Sequence, residues 1–372
     1  MEQAFFFLPD ISGFTSFVTT TEQVHSRHLI SELLEVVIAE NMLGLELQEI
    51  EGDAVFFLRR GPAPADAEIA EQARRMFIAF HTHLRIIERD TVCQCGACRT
   101  VSNLTLKFIA HAGAFESTSV AGRSSVHGSD VILAHRLMKT GIPLREYLLM
   151  TGTEMSSVSS SDWLEWNAYE EHIEHFGTVP MRYVALSPLL QLVPDAAALP
   201  DHTPRGRART FRLNIEAPMH LVHALLIDPE TKKDYIPGLR ESRNEQPINR
   251  VQSSHTCVFD DFEVHFVTLH NAVENREIRY RESADVSVGF GLIADYRLKD
   301  EKGSTLLTVR FFPSGKGDSG GGRSSVSMLA RLKQRIQFSF ALRNTRRNLR
   351  RFGAYCERAA GSDTEVTAPI RP

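Results

Sequence analysis

The sequence predicts an α+β protein in two parts: a ferredoxin-like βαββαβ sandwich, then an antiparallel sheet wrapped around a long C-terminal helix. Three observations predict it. Apolar runs of strand length alternate with helical-period segments in the order β, α, β, β, α, β through the first 110 residues. A proline-rich stretch, Ser187 to Arg209, carrying the polar string DHTPRGRAR, then breaks the chain. Beyond it come five alternating segments and one long apolar-striped helix. At 372 residues the chain exceeds what one compact core usually holds, so two domains are expected.

In order, Ala4 to Leu8 reads as a buried strand, and Glu22 to Leu43 as a long helix with Val24, Leu29, Leu33, Val36 and Val37 at helical spacing. Leu45 to Ile50 and Ala54 to Leu58 are strands joined at Glu51-Gly52-Asp53, a tight-turn signal. Asp66 to Glu88 is a second helix, Leu104 to Ala110 a strand, Gly128 to Thr140 a third helix and Tyr147 to Thr151 another strand. In the second part, Thr210 to Ile215 is a strand and Pro218 to Ile227 a short helix opened by proline. Alternating segments follow at His255 to Phe259, Glu263 to His270, Arg276 to Glu282, Leu292 to Leu298 and Ser304 to Phe312. Ser314 to Ser325, rich in Gly and Ser, is a loop before a closing helix from Val326 to about Cys356. The expected organisation is a domain over 1–187, a linker over 188–207, a domain over 208–359 and a disordered tail over 360–372.

Composition excludes several classes. Hydrophobic residues make 42% and charged residues 24%, values of an ordinary globular protein. The longest apolar runs are only about five residues, far short of a membrane-spanning helix, and Ala4 to Leu8 is too short for a secretory signal. Five cysteines, three of them crowded together, argue for thiols in a reducing compartment and so for a cytoplasmic location. The net charge of −4 hides an asymmetry, because residues 323–351 hold nine Lys or Arg and no acid. These cations read first as the solvated face of a helix whose other face fills the core. Peripheral contact with an anionic membrane is a second reading, and nucleic acid, without aromatic interleaving, is the weakest.

Two carboxylates draw the chemical argument. Asp10 ends the first strand in LPDISGFTSF, and Asp53 sits in the turn of EIEGDAVFF. Paired carboxylates at the ends of neighbouring strands suit Mg²⁺ or Mn²⁺, which take a few such oxygens and leave other positions to water and substrate phosphates. The alternative is that both merely stabilise turns.

LPDISGFTSF, EIEGDAVFF, LKFIAHAGAF and GSDVILAHRLMK, in that order, resemble the class III nucleotidyl cyclase catalytic domain over roughly residues 1–187. The resemblance implies that Asp10 and Asp53 bind two Mg²⁺ or Mn²⁺ ions with help from the carbonyl of Ile11, and that Phe14 and Thr15 open toward a triphosphate. It implies cyclisation of a nucleoside triphosphate to a 3′,5′-cyclic monophosphate and pyrophosphate. Base recognition falls to Glu49, four residues before Asp53, and Ser125, a pairing that leans toward GTP over ATP. Arg136 matches the arginine aimed at the transition-state phosphate, supplied across a homodimer interface. Two departures stand against activity: Ile132 occupies the position of a ribose-orienting asparagine, and no lysine lies between Gly177 and Tyr183, although Arg182 does. Loss of one preorganised polar donor typically lowers rate by about a hundredfold or more. A catalytically silent nucleotide-sensing or dimerisation domain is therefore the alternative.

Cys93, Cys95 and Cys98 form CxCxxC, a set of soft donors suited to Zn²⁺ with His81, His83 or His111 as fourth ligand, or else reduced thiols in a turn. His25, His28, His220 and His223 lie at helical spacing and read as ordinary partly buried or surface residues. Residues 208–359, through IEAPMHLVHALLIDPETKKDYIPG and the long closing helix, resemble the START-like helix-grip superfamily. That resemblance implies a cavity for an apolar small molecule or lipid, regulating the first domain.

Overall fold

The computed structural model describes residues 1–21, 23–120, 123–152, 163–204, 206–287, 290–314 and 328–366. The chain divides into two compact units, one of Met1–Arg89 and Cys95–Ala197, the other of Asp90–Gln94 and Ala198–Pro372. No helix among the described residues is long and apolar enough to cross a membrane.

The first unit contains β1 (Glu2–Ser12), α1 (Phe14–Thr20), α2 (Gln23–Ala39), β2 (Glu46–Glu51), β3 (Ala54–Arg60), α3 (Asp66–Asp90), α4 (Gly96–Thr100), β4 (Thr105–Val120), β5 (Arg123–His127), α5 (Ser129–Leu137), β6 (Tyr147–Thr151), β7 (Asn167–Ile173) and β8 (Gly177–Ala185). Its sheet runs β2-β3-β1-β4-β6-β8-β7, with β5 pairing β4 off that path. β1 is antiparallel to both β3 and β4. The block β2-β3-β1-β4 is the strand order of a ferredoxin-like sandwich, and β4 continues it through a parallel pairing with β6. β1 is buried on both faces, which is why it reads as an unbroken apolar run. Ala4, Phe6 and Leu8 share a core with Val131, Ala134 and Leu137 of α5. On the opposite face Phe7 stacks on Phe108 with ring centroids 5.4 Å apart.

Several boundaries differ from the sequence reading. One long helix was expected after β1, but Phe14–Thr20 forms a separate short helix before α2. β4 extends ten residues past the expected Ala110 and folds back as the β4–β5 hairpin. β7 and β8 were not anticipated, because β7 is mostly exposed and polar and β8 carries Pro180, two features that mask a strand. Ser187–Leu192, expected within the linker, is a 3₁₀ helix with Leu189 fully buried.

The second unit contains β9 (Arg209–Ile215), α6 (Met219–Ile227), α7 (Lys232–Tyr235), β10 (Glu241–Asn244), β11 (Ser254–Val258), β12 (Glu263–Glu274), β13 (Glu277–Val286), β14 (Phe290–Glu301), β15 (Ser304–Ser314) and α8 (Met328–Val366). Seven strands form one antiparallel sheet in the order β10-β11-β12-β13-β14-β15-β9. Leu342, Leu349, Phe352 and Cys356 of α8 join Tyr280, Tyr296, Leu307 and Phe311 of the sheet in one core. Gly353 permits the close approach, since a Cβ there would lie 2.7 Å from Leu213. α8 continues to Val366, through the first part of the expected tail. Residues 315–325 of the expected Gly/Ser loop and 367–372 of that tail lie outside the described residues. Arg343, Arg346, Arg347, Arg350 and Arg351 are exposed on α8 while Leu349 and Phe352 are buried, the two-faced pattern of an amphipathic helix.

A polar network is enclosed in this core. Lys232, His255 and Glu282 are at most 6% exposed. Lys232 Nζ donates to His255 Nε2 at 2.7 Å, lies 3.7 Å from Glu282 Oε2 and sits 3.8 Å over the Phe266 ring. Tyr296 and Tyr280 donate their hydroxyls to Glu282 at 2.8 and 3.3 Å. Each buried charge therefore has partners, as desolvated charges require.

Candidate functional site

The site grows from the C-terminal end of β1. Gly13 turns the chain there with φ 93°, a left-handed value suited to glycine. Asp10 stands opposite Ala54 of β3 and Lys107 of β4, so the Asp10 and Lys107 side chains share a face of the sheet. Asp53 closes the β2–β3 turn after Gly52, whose φ is 66°. The Ile11 N–H donates to the Asp53 carbonyl at 3.2 Å and pins that turn against the end of β1.

This framework sets the Asp10 and Asp53 carboxyls close enough for the charge of Asp10 to act on Asp53. Burial first, and the charge of Asp10 second, push the Asp53 carboxyl up to about 7, while the Lys107 ammonium pulls it down. Lys107 Nζ lies 3.1 Å from Asp10 Oδ2 and donates to the Met138 carbonyl at 2.8 Å. Two acids and one lysine thus share a partly buried end of the sheet, where burial and the charge of Asp10 favour the protonated form of Asp53 and Lys107 opposes it. A divalent cation asks for the same donor set, hard oxygens in a partly dry place, and would take the proton's position.

α5 runs along the sheet, its last turn near Lys107 through Met138 and its first turn at the other end of β1. Its Asp130 accepts the Ala114 N–H at 2.7 Å, and the approach is so close that a Cβ on Gly113 would fall 2.4 Å from the Asp130 Cβ. His135 lies 3.4 Å from Glu51 and edge-on to Phe56.

The remaining sequence-predicted residues are distributed differently. Ile11 is buried, Phe14 is half-buried against Gly52, and Thr15 is exposed at the start of α1. Glu49 is exposed on β2, just after a register irregularity, and Ser125 is exposed on β5. β3, β1 and β4 stand between β2 and β5 in the sheet order. Arg136 lies 3.5 Å from Glu174, and Ile132 is 53% exposed. Among the described residues no hydrogen bond or ion pair links Glu49, Ser125 or Arg136 to the aspartate pair. Arg182 is 6% exposed, with Nη2 2.8 Å from Asp66 and its guanidinium over Trp166, so it is committed inside the fold. Lys107 is the residue that sequence reasoning missed. Its only signal was a cation inside an apolar strand, LTLKFIAHAG.

The cysteines form a second cluster. Ligand atoms of His25, Cys93, Cys95 and Cys98 all lie within 4.8 Å of one another. The fourth member corrects the expectation of His81, His83 or His111. His81 lies 3.5 Å from Glu146, His83 hydrogen-bonds Glu32 at 2.6 Å, and His111 bonds the Thr151 hydroxyl at 2.7 Å. His25, read from sequence as ordinary, is the one that meets the thiols.

Comparison with known proteins gives a family and several structural likenesses. Residues 30–147 match a family model described as a protein of unknown function (DUF2652). An uncharacterized protein of Mycobacterium tuberculosis, Rv2561/Rv2562, is 31% identical over 174 residues, which are 47% of this chain and 79% of that protein. Among solved structures, the adenylyl cyclase CyaB from P. aeruginosa is 16% identical, covering 50% of this chain and 94% of its own, with a TM-score of 0.33. The catalytic core of a rhodopsin-guanylyl cyclase with converted specificity, in complex with ATPalphaS, is 14% identical, with coverages of 50% and 96% and a TM-score of 0.35. Likenesses at these TM-scores carry no argument about chemistry, which rests on the side chains described above.

Proposed function

Starting from a chain that belongs to the family of the uncharacterized M. tuberculosis protein Rv2561/Rv2562, we propose that it is a divalent-cation-dependent nucleotidyl cyclase. The reaction is the attack of a ribose 3′ oxygen on the α-phosphorus of a nucleoside triphosphate, forming a 3′,5′-cyclic monophosphate and releasing pyrophosphate. The observation that carries the reading is the placement of Asp10 and Asp53 at adjoining strand ends, Asp10 opposite Ala54 and the Ile11 N–H bonded to the Asp53 carbonyl, with Asp53 pushed up to about 7 by burial and the charge of Asp10. Asp10, Asp53 and the Ile11 carbonyl would hold Mg²⁺ or Mn²⁺. When bound, such ions neutralise the triphosphate and lower the pKa of the attacking hydroxyl.

The chain's own residues do the positioning. Lys107 keeps the Asp10 carboxylate turned into the pocket and compensates part of its charge. Phe14, over Gly52, keeps water from one side of the Asp53 turn. Glu49 and Ser125 offer an acceptor and a hydroxyl for a purine edge, with guanine favoured by the acceptor at 49. Arg136 of a second copy would meet the phosphate, which makes a homodimer the active form. The C-terminal unit, read as a START-like helix-grip module for an apolar small molecule or lipid, would set the activity, and the exposed arginines of α8 suit contact with an anionic surface.

A second reading is a silent, nucleotide-sensing homologue. It is favoured by Ile132, a hydrocarbon where a ribose-binding amide is expected, and by Arg136 already paired with Glu174. The test is incubation of the full chain with Mn²⁺ and ATP, GTP, CTP or UTP, followed by mass spectrometry of the products. The enzyme yields a cyclic monophosphate that disappears in Asp53→Ala. Absence of product with all four nucleotides selects the silent homologue.

A further inference from the structure

We infer that His25, Cys93, Cys95 and Cys98 form a tetrahedral Zn²⁺ site that fastens the CxCxxC loop to the first turn of α2. The inference is independent of the cyclase reading, since it shares no residue with the Asp10–Asp53 pocket.

Its first support is donor geometry. His25 Nδ1 lies 3.2 Å from Cys95 Sγ and 3.6 Å from Cys98 Sγ. Bonds of about 2.3 Å to sulfur and about 2.0 Å to nitrogen give a tetrahedron whose S···N edges are about 3.5 Å and S···S edges about 3.8 Å. The four donors, all within 4.8 Å of one another, therefore need to move by about 1 Å or less to close on one ion. Four donors of this softness at this spacing specify zinc over the hard cations, which take oxygen.

The second support is local backbone. Cys95 precedes α4, and its sulfur accepts the backbone N–H of Cys98 at 3.5 Å. A hydrogen bond to sulfur favours thiolate over thiol. The loop is also short enough to be set by these bonds, because CxCxxC places three sulfurs within six residues. The third support is origin: the imidazole comes from α2, about seventy residues earlier in the chain. A ligand set that joins two distant segments is what gives a structural metal its stabilising effect.

Binding releases one proton from each thiol, leaves the imidazole neutral and gives the cluster a net charge of −1. The ion would hold the loop, α4 and the N-terminal end of α2 as one body. Cys93, Cys95 and His25 are each partly exposed, so a chelator can reach the site.

The experiment is elemental analysis of full-length protein purified without chelator, paired with Co²⁺ substitution. The expected result is about one zinc per chain and, for the Co²⁺ form, intense visible bands with the sulfur-to-metal charge transfer of thiolate ligation. His25→Ala should lower zinc retention after dialysis at least tenfold, while Asp53→Ala leaves it unchanged. Less than about a tenth of a zinc per chain, with no Co²⁺ spectrum on titration, overturns the site. Full retention by a folded His25→Ala, judged by circular dichroism, overturns the fourth ligand. A Cys95–Cys98 disulfide in metal-free protein that resists Zn²⁺ loading after reduction identifies a redox pair instead.

Discussion

Gly113 shows how closely single residues are constrained where α5 packs on β4, at the end of β1 away from Asp10. A Cβ there would lie 2.4–2.5 Å from three atoms of Asp130, whose carboxylate accepts the Ala114 N–H. Gly113→Ala must displace α5 or break that hydrogen bond, at about 1–3 kcal/mol by analogy with overpacked cores. Chemical denaturation checks this, and a change below about 0.5 kcal/mol would contradict the close packing. His223 gives a pH dependence with a definite sign. It is fully buried, donates Nε2–H to Asn271 at 3.0 Å, and burial lowers its pKa to about 4. The unfolded chain, with an ordinary value near 6.5, takes up the proton first. Stability is therefore whole above about pH 6.5 and declines as pH falls toward 4, by about 2 kcal/mol at pH 5. In His223→Gln, which cannot titrate, the decline between pH 7 and 5 should be smaller by that amount. Equal declines would contradict the buried neutral imidazole. At this scale the sequence was partly legible. Asp10 and Asp53 stood out because an acid inside an apolar run needs a reason, whereas Lys107 is one more cation on a strand. His25 could not be matched to the cysteines, because the pairing depends on α2 meeting a loop that lies about seventy residues away.

Among the elements, β11, β12 and β13 with α7 carry the most unusual energetics. Lys232 and Glu282 are each 4% exposed and lie 3.7 Å apart, His255 accepting from Lys232 while Tyr280 and Tyr296 donate to Glu282. Lys232→Met leaves Glu282 desolvated without its cation, a loss of about 3–5 kcal/mol, and adding Glu282→Gln should recover part of it. Thermal or urea denaturation of the single and double variants checks the coupling, and additive effects would contradict it. This network was invisible in sequence, because Lys232 lies in the polar string DPETKKDY that ordinarily marks a surface turn. The regular elements were more legible. The helices α3 and α6 and the strands β13 to β15 follow plain period-3.6 or period-2 patterns. Polar β7 and proline-bearing β8 do not, and the β4–β5 hairpin was hidden by the Ser- and Thr-rich run that forms it.

For the molecule as a whole, two compact units are present, and the first has the β2-β3-β1-β4 order that the sequence-level pattern anticipates. What pattern could not supply is how Glu49, Ser125 and Arg136 relate to the aspartate pair, to which no hydrogen bond or ion pair among the described residues joins them. The central claim is that Asp10 and Asp53 together hold a divalent cation. Titration of Mn²⁺ into the full chain with a non-cyclisable nucleoside triphosphate, following free Mn²⁺ by electron paramagnetic resonance, tests it most directly. The account predicts saturable binding that weakens at least about tenfold in both Asp10→Asn and Asp53→Asn and persists in His25→Ala. Equal Mn²⁺ affinity in the wild type and the two asparagine variants would contradict it.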